Sequence, residues 1–327
     1  MNILEQIRER AQKNLKKVVF PEAEDVRVLK AVEICQSNKY VIPVLVGQPE
    51  KVNKAAADAQ IDISNISIVD PATDENKEDF IQEYYNLRKK KGMDFDGAAK
   101  IMSDPLYYAA MMVHKGTADA SVAGAVNTTG NVLRAAIQII GVAKDYSIVS
   151  SSFFMVLPNG RALTYGDCGV VPDPESEQLV DIAFATAETH KLLSCQEPVV
   201  AMLSFSTKGS AQHKDIDKVR EAVEIAQKRR PEILLDGELQ GDAALVEAVG
   251  RKKAPGSKVA GHANVLIFPD LGAGNIAYKL TERLANAVAL GPLLQGLAKP
   301  ANDLSRGCKA EDIVDVACIC SLRSEIN

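Results

Sequence analysis

The chain lacks the spacings that staple a small protein or hold a structural metal. Its six cysteines (Cys35, Cys168, Cys195, Cys308, Cys318 and Cys320) contain no CxxC pair. None of the four histidines (His114, His190, His213 and His262) joins them at zinc-ligand intervals, so no metal site is expected. Reduced thiols and a cytoplasmic setting follow. Cys318 and Cys320, two apart in a helical pattern, face different directions. An excess of positive charge is also missing. With 38 Lys and Arg against 43 Asp and Glu, the net charge is −5, which excludes a broad basic footprint for nucleic acid or an anionic membrane. The local exception, Arg88-Lys89-Lys90-Lys91, reads either as a solvated helix end or as an anion landing site. No apolar run reaches the ~18–20 residues of a membrane span. The amphipathic opening MNILEQIRERAQKNLKK has no apolar core region, so it is not a secretory signal. No fixed-period repeat and no low-complexity segment occur.

What is present is the composition of a soluble globular protein, 46% hydrophobic and 25% charged, over 327 residues. That length suggests two domains. Strand and helix signals alternate from the start. KVVF, VIPVLVG, ISIVD and ADASVAGAV read as strands, and helical patterns lie between them. Val28, Val32 and Cys35 share one helix face, and Leu133, Ile137 and Ile140 share another. This βαβ rhythm predicts a parallel sheet flanked by helices. Near Ser147 the pattern changes to two strands around Pro158-Asn159-Gly160, a hairpin signal that starts a second α/β domain. There Ile276, Leu280, Leu284 and Val288 recur every four residues, the face of a long helix.

Three segments have the chemistry to hold an anion. Asp270-Leu271-Gly272-Ala273-Gly274-Asn275 lies between a strand and a helix, where bare glycine backbone and a helix N-terminus favour phosphate. The third glycine of a dinucleotide fingerprint is absent, and a tight turn is the competing reading. Asn127-Thr128-Thr129-Gly130-Asn131 combines hydroxyls with a helix start and has Arg134 one turn along; simple helix capping competes. Ser206-Thr207-Lys208-Gly209-Ser210 follows a strand without the residue order of a Walker loop. Near the C-terminus, NDLSRGCKAED adds Arg306, a planar fork suited to phosphate, or else the partner of Glu311 or Asp303 in a surface ion pair.

Taken together, FPDLGAGNIAYKLTERLANAVALGPLLQGLAKPANDLSRGCKAED, DGELQGDAALV, KAPGSKVAGHANVLIFPD, SFSTKGSA and NTTGNVLRAAIQIIG resemble the phosphate acetyl/butyryl transferase family, from FPEAEDVR to the last helix. The resemblance implies a reversible acyl transfer, acetyl-CoA plus phosphate giving acetyl phosphate plus CoA. It implies two α/β domains across an active-site cleft, with the C-terminal segment returning to the first. The expected domains are residues 1–146 with 295–327, and residues 147–294. Homodimers are usual in the family. Coenzyme A enters as a substrate, and no tightly bound cofactor is expected. Carried onto this chain, Asp312 matches the base for the CoA thiol, Ser305 the group that stabilises the transition state, and Arg306 the arginine that holds the phosphate end. Arg88 and Arg134 match arginines for CoA, and Thr128, Thr129, Gly272, Gly274 and Asn275 lie in the neighbouring binding motifs. DLGAGNIAYK and NDLSRGC favour acetyl over the butyryl branch.

The chemistry raises one difficulty. A free aspartate near pKa ~3.9 and a thiol near ~8.5 differ by about 4.6 units, so complete proton transfer before attack costs roughly 6 kcal/mol. Cys308, beside Arg306, is the rival nucleophile through an acetyl-cysteine; a small buried residue next to a tight turn is the plainer reading. A two-domain hydroxy-acid dehydrogenase and a non-catalytic CoA-binding regulator are the alternatives from other classes.

Overall fold

The computed structural model describes residues 3–325. The chain forms two compact units. One takes the chain up to Ala143 and resumes at Leu297, and the other is Lys144–Gly296. In chain order the first unit begins with α1 (Ile3–Gln12), β1 (Lys17–Phe20), α2 (Val26–Asn38), β2 (Ile42–Val46), α3 (Pro49–Asp58) and β3 (Ser67–Val69). It continues with α4 (Lys77–Arg88), α5 (Phe95–Met102), α6 (Pro105–Lys115), β4 (Ala120–Ala123) and α7 (Thr129–Ile139). The second unit supplies β5 (Ser150–Val156), β6 (Ala162–Gly166), α8 (Ser176–Ser194), β7 (Val199–Leu203), α9 (Lys214–Arg229) and β8 (Leu234–Leu239). It ends with α10 (Gly241–Leu245), α11 (Glu247–Lys253), β9 (Val265–Ile267), α12 (Leu271–Leu284) and β10 (Val288–Gln295). Back in the first unit come β11 (Ala301–Asp303) and α13 (Ala310–Arg323).

The first unit's sheet runs β11-β4-β1-β2-β3, and every pairing is parallel. Its strands are short apolar runs, and β4 is buried at all four positions, as a sheet covered on both faces requires. The chain builds outward from β1 through β2 to β3, then crosses to lay β4 on the other flank of β1. Strand order therefore reverses between β1 and β4. Their carboxyl ends mark the switch point, where open α/β sheets place ligands. α13 is buried from Ile313 to Leu322 because it packs against α1, α2 and β4. Cys318 and Cys320 are consequently both buried although they point different ways. Arg8 on α1 pairs with Asp315 on α13 at 2.6 Å.

The face expected on α7 is only partly met: Ile140 at its end is buried and Leu133 half-buried, but Ile137 stands 44% exposed, and Val132, Ala135, Ala136 and Ile139 are the buried residues of the helix. The small alanines let the helix lie close to its neighbours, so size rather than hydrophobicity decides which side faces inward.

The second unit's sheet runs β10-β5-β6-β9-β7-β8. β6, β9, β7 and β8 are parallel, and β5 is antiparallel to both β6 and β10. The β5–β6 hairpin turns through Pro158–Gly160, with Gly160 at φ +84°, a conformation open to glycine. The long helix expected through Val288 stops at Leu284. Asn286 takes φ +50°, and Val288 opens β10. The four-residue spacing survives as an outward stripe: Ile276, Leu280, Leu284 and Val288 are 61%, 53%, 80% and 44% exposed.

Candidate active site

β11 delivers the NDLSRGC segment to the carboxyl edge of the first unit's sheet. Asp303 pairs in register with Ala123 of β4, and the chain then leaves the sheet and turns. The Cys308 amide donates to the Ser305 carbonyl at 2.9 Å, closing a four-residue turn. Ser305 Oγ accepts from the Gly307 amide at 3.3 Å, which leaves its own hydrogen for a substrate oxygen. Ser305 and Arg306 are exposed. Among the described residues Arg306 makes no ion pair, so the pairing with Glu311 or Asp303 weighed from the sequence does not form. Asp312 stands exposed in the first turn of α13, where Oδ2 accepts from the Lys309 amide at 2.8 Å.

Sequence reasoning missed the residue that pins this turn. Arg27, just before the core of α2, reaches the Arg306 carbonyl at 2.6 Å and the Cys308 carbonyl at 3.3 Å through Nη1. Its Nη2 donates to the Ala125 carbonyl at 2.7 Å, and Asp25 holds the guanidinium through Nε and Nη2. One side chain thus ties the β1–α2, β4–α7 and β11–α13 connections together. The signal was present as Asp25-x-Arg27 after a strand, but nothing local said which carbonyls the arginine would find.

Cys308 is buried, and its thiol is pushed up to about 11, chiefly by loss of solvent and against the pull of Arg27. Such a thiol is protonated at neutral pH, which counts against an acetyl-cysteine.

The β4–α7 connection has an anion nest, and a residue of the same chain fills it. Glu22 Oε2 accepts from the amides of Gly124 and Ala125, and Oε1 from the amides of Val126 and Asn127 and from Asn127 Nδ2. Of the two threonines that follow, Thr128 caps α7 by accepting from the Asn131 amide. Thr129 gives its hydroxyl hydrogen to Asp303 Oδ2 at 2.6 Å. While that bond stands, Thr129 Oγ1 can accept but not donate; Thr128 keeps a free hydroxyl hydrogen.

Arg88 and Arg134 sit on α4 and α7. Burial pushes the phenol of Tyr107 on α6 up, while Arg134 and Arg88 both pull the other way. Tyr84 meets the Tyr107 ring edge-on at 6.2 Å and donates to Gln138 of α7 at 2.8 Å. Arg88 Nε is buried without a partner among the described residues. A cavity of about 640 Å³ opens along the carboxyl ends of β1, β2 and β3, with Glu22, Gln48, Asp70, Asp104 and Asn127 among its walls.

Gly272, Gly274 and Asn275 belong to the second unit, in the first turn of α12. Asp270 caps that turn by accepting from the Ala273 amide. A Cβ on Gly274 would lie 2.2 Å from the Asp167 carbonyl, so the glycine lets α12 approach the chain after β6. Asn275 Nδ2 donates to the Cys168 carbonyl at 3.1 Å. The loop at Ser206–Ser210 repeats the pattern of the first unit: Glu238 accepts from Ser206 Oγ, the Gly209 amide and Arg220. Burial opposes its charge, yet Arg220 and the other donors bring it down to about 2.

Residues 2–321 match the family described as phosphate acetyl/butaryl transferase. A phosphate acetyltransferase of Acetivibrio thermocellus is 48% identical over 330 residues, covering 99% of each chain. One from Thermoanaerobacterium thermosaccharolyticum is 47% identical, covering 99% of this chain and all of its own. The crystal structure of a phosphotransacetylase from Streptococcus pyogenes superposes with a TM-score of 0.95 at 39% identity, covering 99% of this chain and 98% of that one. Agreement along nearly the whole chain, in sequence and in fold, shows that the chain belongs to the phosphate acetyl/butaryl transferase family.

Proposed function

We propose that this chain is a phosphate acetyltransferase. It moves an acetyl group reversibly between coenzyme A and inorganic phosphate, by direct attack of the CoA thiolate on acetyl phosphate while both are bound. The observation that carries the reading is the NDLSRGC turn: an exposed arginine free of carboxylate partners, beside a serine whose hydrogen is uncommitted, at the carboxyl edge of a parallel sheet. Arg306 holds the phosphate leaving group through its planar fork. Ser305 donates to the carbonyl oxygen as it gains charge. Asp312 takes the thiol proton as the C–S bond forms, which avoids the cost of prior ionisation. The C–O bond to phosphate then breaks and phosphate leaves. No cofactor takes part. Arg88 and Arg134 receive the anionic end of CoA, with Thr128, Thr129 and the first turn of α12 (Gly272, Gly274, Asn275) as further binding elements. Acetyl is preferred over butyryl, in keeping with the curated relatives.

Two coarser properties complete the reading. Six cysteines outside any disulfide, five of them buried, suit the cytoplasm. The protein works as a homodimer, and the outward stripe of Ile276, Leu280, Leu284 and Val288 supports this because such a row is costly in water. The deciding experiment follows thioester absorbance with acetyl phosphate and CoA, then repeats it with butyryl phosphate. Thioester formation at tens of turnovers per second or more with the acetyl donor is expected; no thioester from either donor removes the enzymatic reading.

A further inference from the structure

Asp303 is the one carboxyl in the NDLSRGC segment that the reaction scheme leaves unused, and its surroundings are unusual. Its side chain is fully buried at the end of β11. Oδ2 accepts from Thr129 Oγ1 at 2.6 Å, while Oδ1 is buried with no hydrogen-bond partner among the described residues. That oxygen faces Gly124, where an added Cβ would lie 2.4 Å away. The Leu304 amide lies near enough to favour the charged form. A buried carboxylate oxygen without a donor is costly, and a packed apolar residue would avoid that cost. Its presence calls for a role.

The geometry points to one. Thr129 is the first residue of α7, the helix that carries Arg134, and Asp303 is two residues from Ser305 and three from Arg306. We propose that Asp303 is a positioning residue: through Thr129 it locks the N-terminus of α7 to the end of β11, and so sets the spacing between the arginine that receives CoA and the turn that performs the transfer. This rests on the acyl-transfer reading. Arg27 fixes the turn itself by separate bonds, so the contribution of Asp303 falls on α7 and on CoA rather than on the chemical step.

The bond is also sensitive to protons. Burial, opposed by Thr129 and Leu304 and reinforced by the nearby charge of Glu22, raises the Asp303 carboxyl to about 6. Glu22 on the β1–α2 connection is the charged group that faces it among the described residues; Thr129 of α7 offers its hydroxyl and Leu304, just past β11, its amide. Above that pH Thr129 donates to a carboxylate, a stronger bond than the one to a neutral acid. As pH falls through it, α7 is held less firmly.

The test measures the steady-state KM for CoA and kcat between pH 5 and 8.5, with CoA affinity by calorimetry. In the wild type KM for CoA rises about threefold as pH drops below 6. Asp303→Asn, which keeps an oxygen for Thr129 but cannot ionise, shows that raised KM at every pH. Asp303→Ala and Thr129→Val each raise it about tenfold, Thr129→Ser restores it, and the double variant is no worse than either single one. In the Asp303 variants kcat stays within about threefold. A loss in kcat at unchanged KM, or effects of the two single variants that multiply in the double, overturns the proposal. Should Asp303→Ala not fold, Asp303→Asn decides: a KM for CoA that still follows pH as in the wild type overturns the proposal. A wild-type protein that makes no thioester refutes the acyl-transfer reading instead, and that result is visible before any variant is made.

Discussion

At the scale of single residues, the proposed site separates groups assigned to substrate from groups that hold the turn in place. Arg306 is exposed, and among the described residues its carbonyl rather than its guanidinium is the part bonded to the protein. Replacing it with glutamine removes charge and fork while leaving the turn intact. The apparent KM for acetyl phosphate should rise at least tenfold in Arg306→Gln with a smaller change for CoA, measured by varying each substrate at saturation of the other. An effect confined to CoA reassigns the residue. Cys308→Ala is the matching control. A buried thiol held near 11 takes no part, so at least half the activity should survive, and initial-rate plots should intersect. Parallel lines would mean an acetylated enzyme and return Cys308 to the mechanism.

At the scale of elements, both sheets end in a nest of donors occupied by an internal glutamate, Glu22 in one unit and Glu238 in the other. Glu238 is held near 2, below the usual carboxylate range, so its contribution to stability is complete above about pH 4.5 and is lost as pH falls toward 2. Glu238→Gln should lower the stability of the second unit at neutral pH by roughly 1–3 kcal/mol, because Arg220 is left facing an uncharged partner. It should also flatten the acid limb of the curve. Urea melts at pH 7 and pH 3 check this, and equal losses at the two pH values contradict it. These nests also show where the sequence was readable. β1, β2, β4 and the hairpin after Ser147 were legible because apolar runs and a Pro-Asn-Gly turn are local signals. β11 was not, being three residues long and defined only by its pairing with β4. β10 hid within the four-residue repeat that continues past α12. The glycines and threonines that advertise an anion were found, but the carboxylate that already fills the nest lies 102 residues or more away in the chain, beyond any local pattern. Arg27 escaped for the same reason.

At the scale of the whole molecule, the outward apolar stripe on α12 and β10 is the feature with the largest unanswered cost. A glutamate at Leu280, which is 53% exposed, should leave the second unit folded and convert a dimer to a monomer at micromolar concentration. Sedimentation velocity with circular dichroism checks both halves of that statement. A wild-type protein already monomeric under those conditions removes the dimer from the proposed function.

The excursion of the chain through the second unit has a consequence for biosynthesis. Residues 144–296 form one uninterrupted stretch, so the second unit can close as soon as it leaves the ribosome. The first unit cannot. Its edge strand β11, the ten successive buried residues of α13 and the Ser305–Arg306 turn are all translated after that excursion. The first half of the chain must wait, partly assembled and with apolar surface uncovered, until the final thirty or so residues arrive. The unit translated second is therefore the first to finish folding. A chain cut off before β11 lacks the turn proposed to perform the transfer and the helix that seals the first core, so the proposed activity and the completion of folding depend on the same last segment.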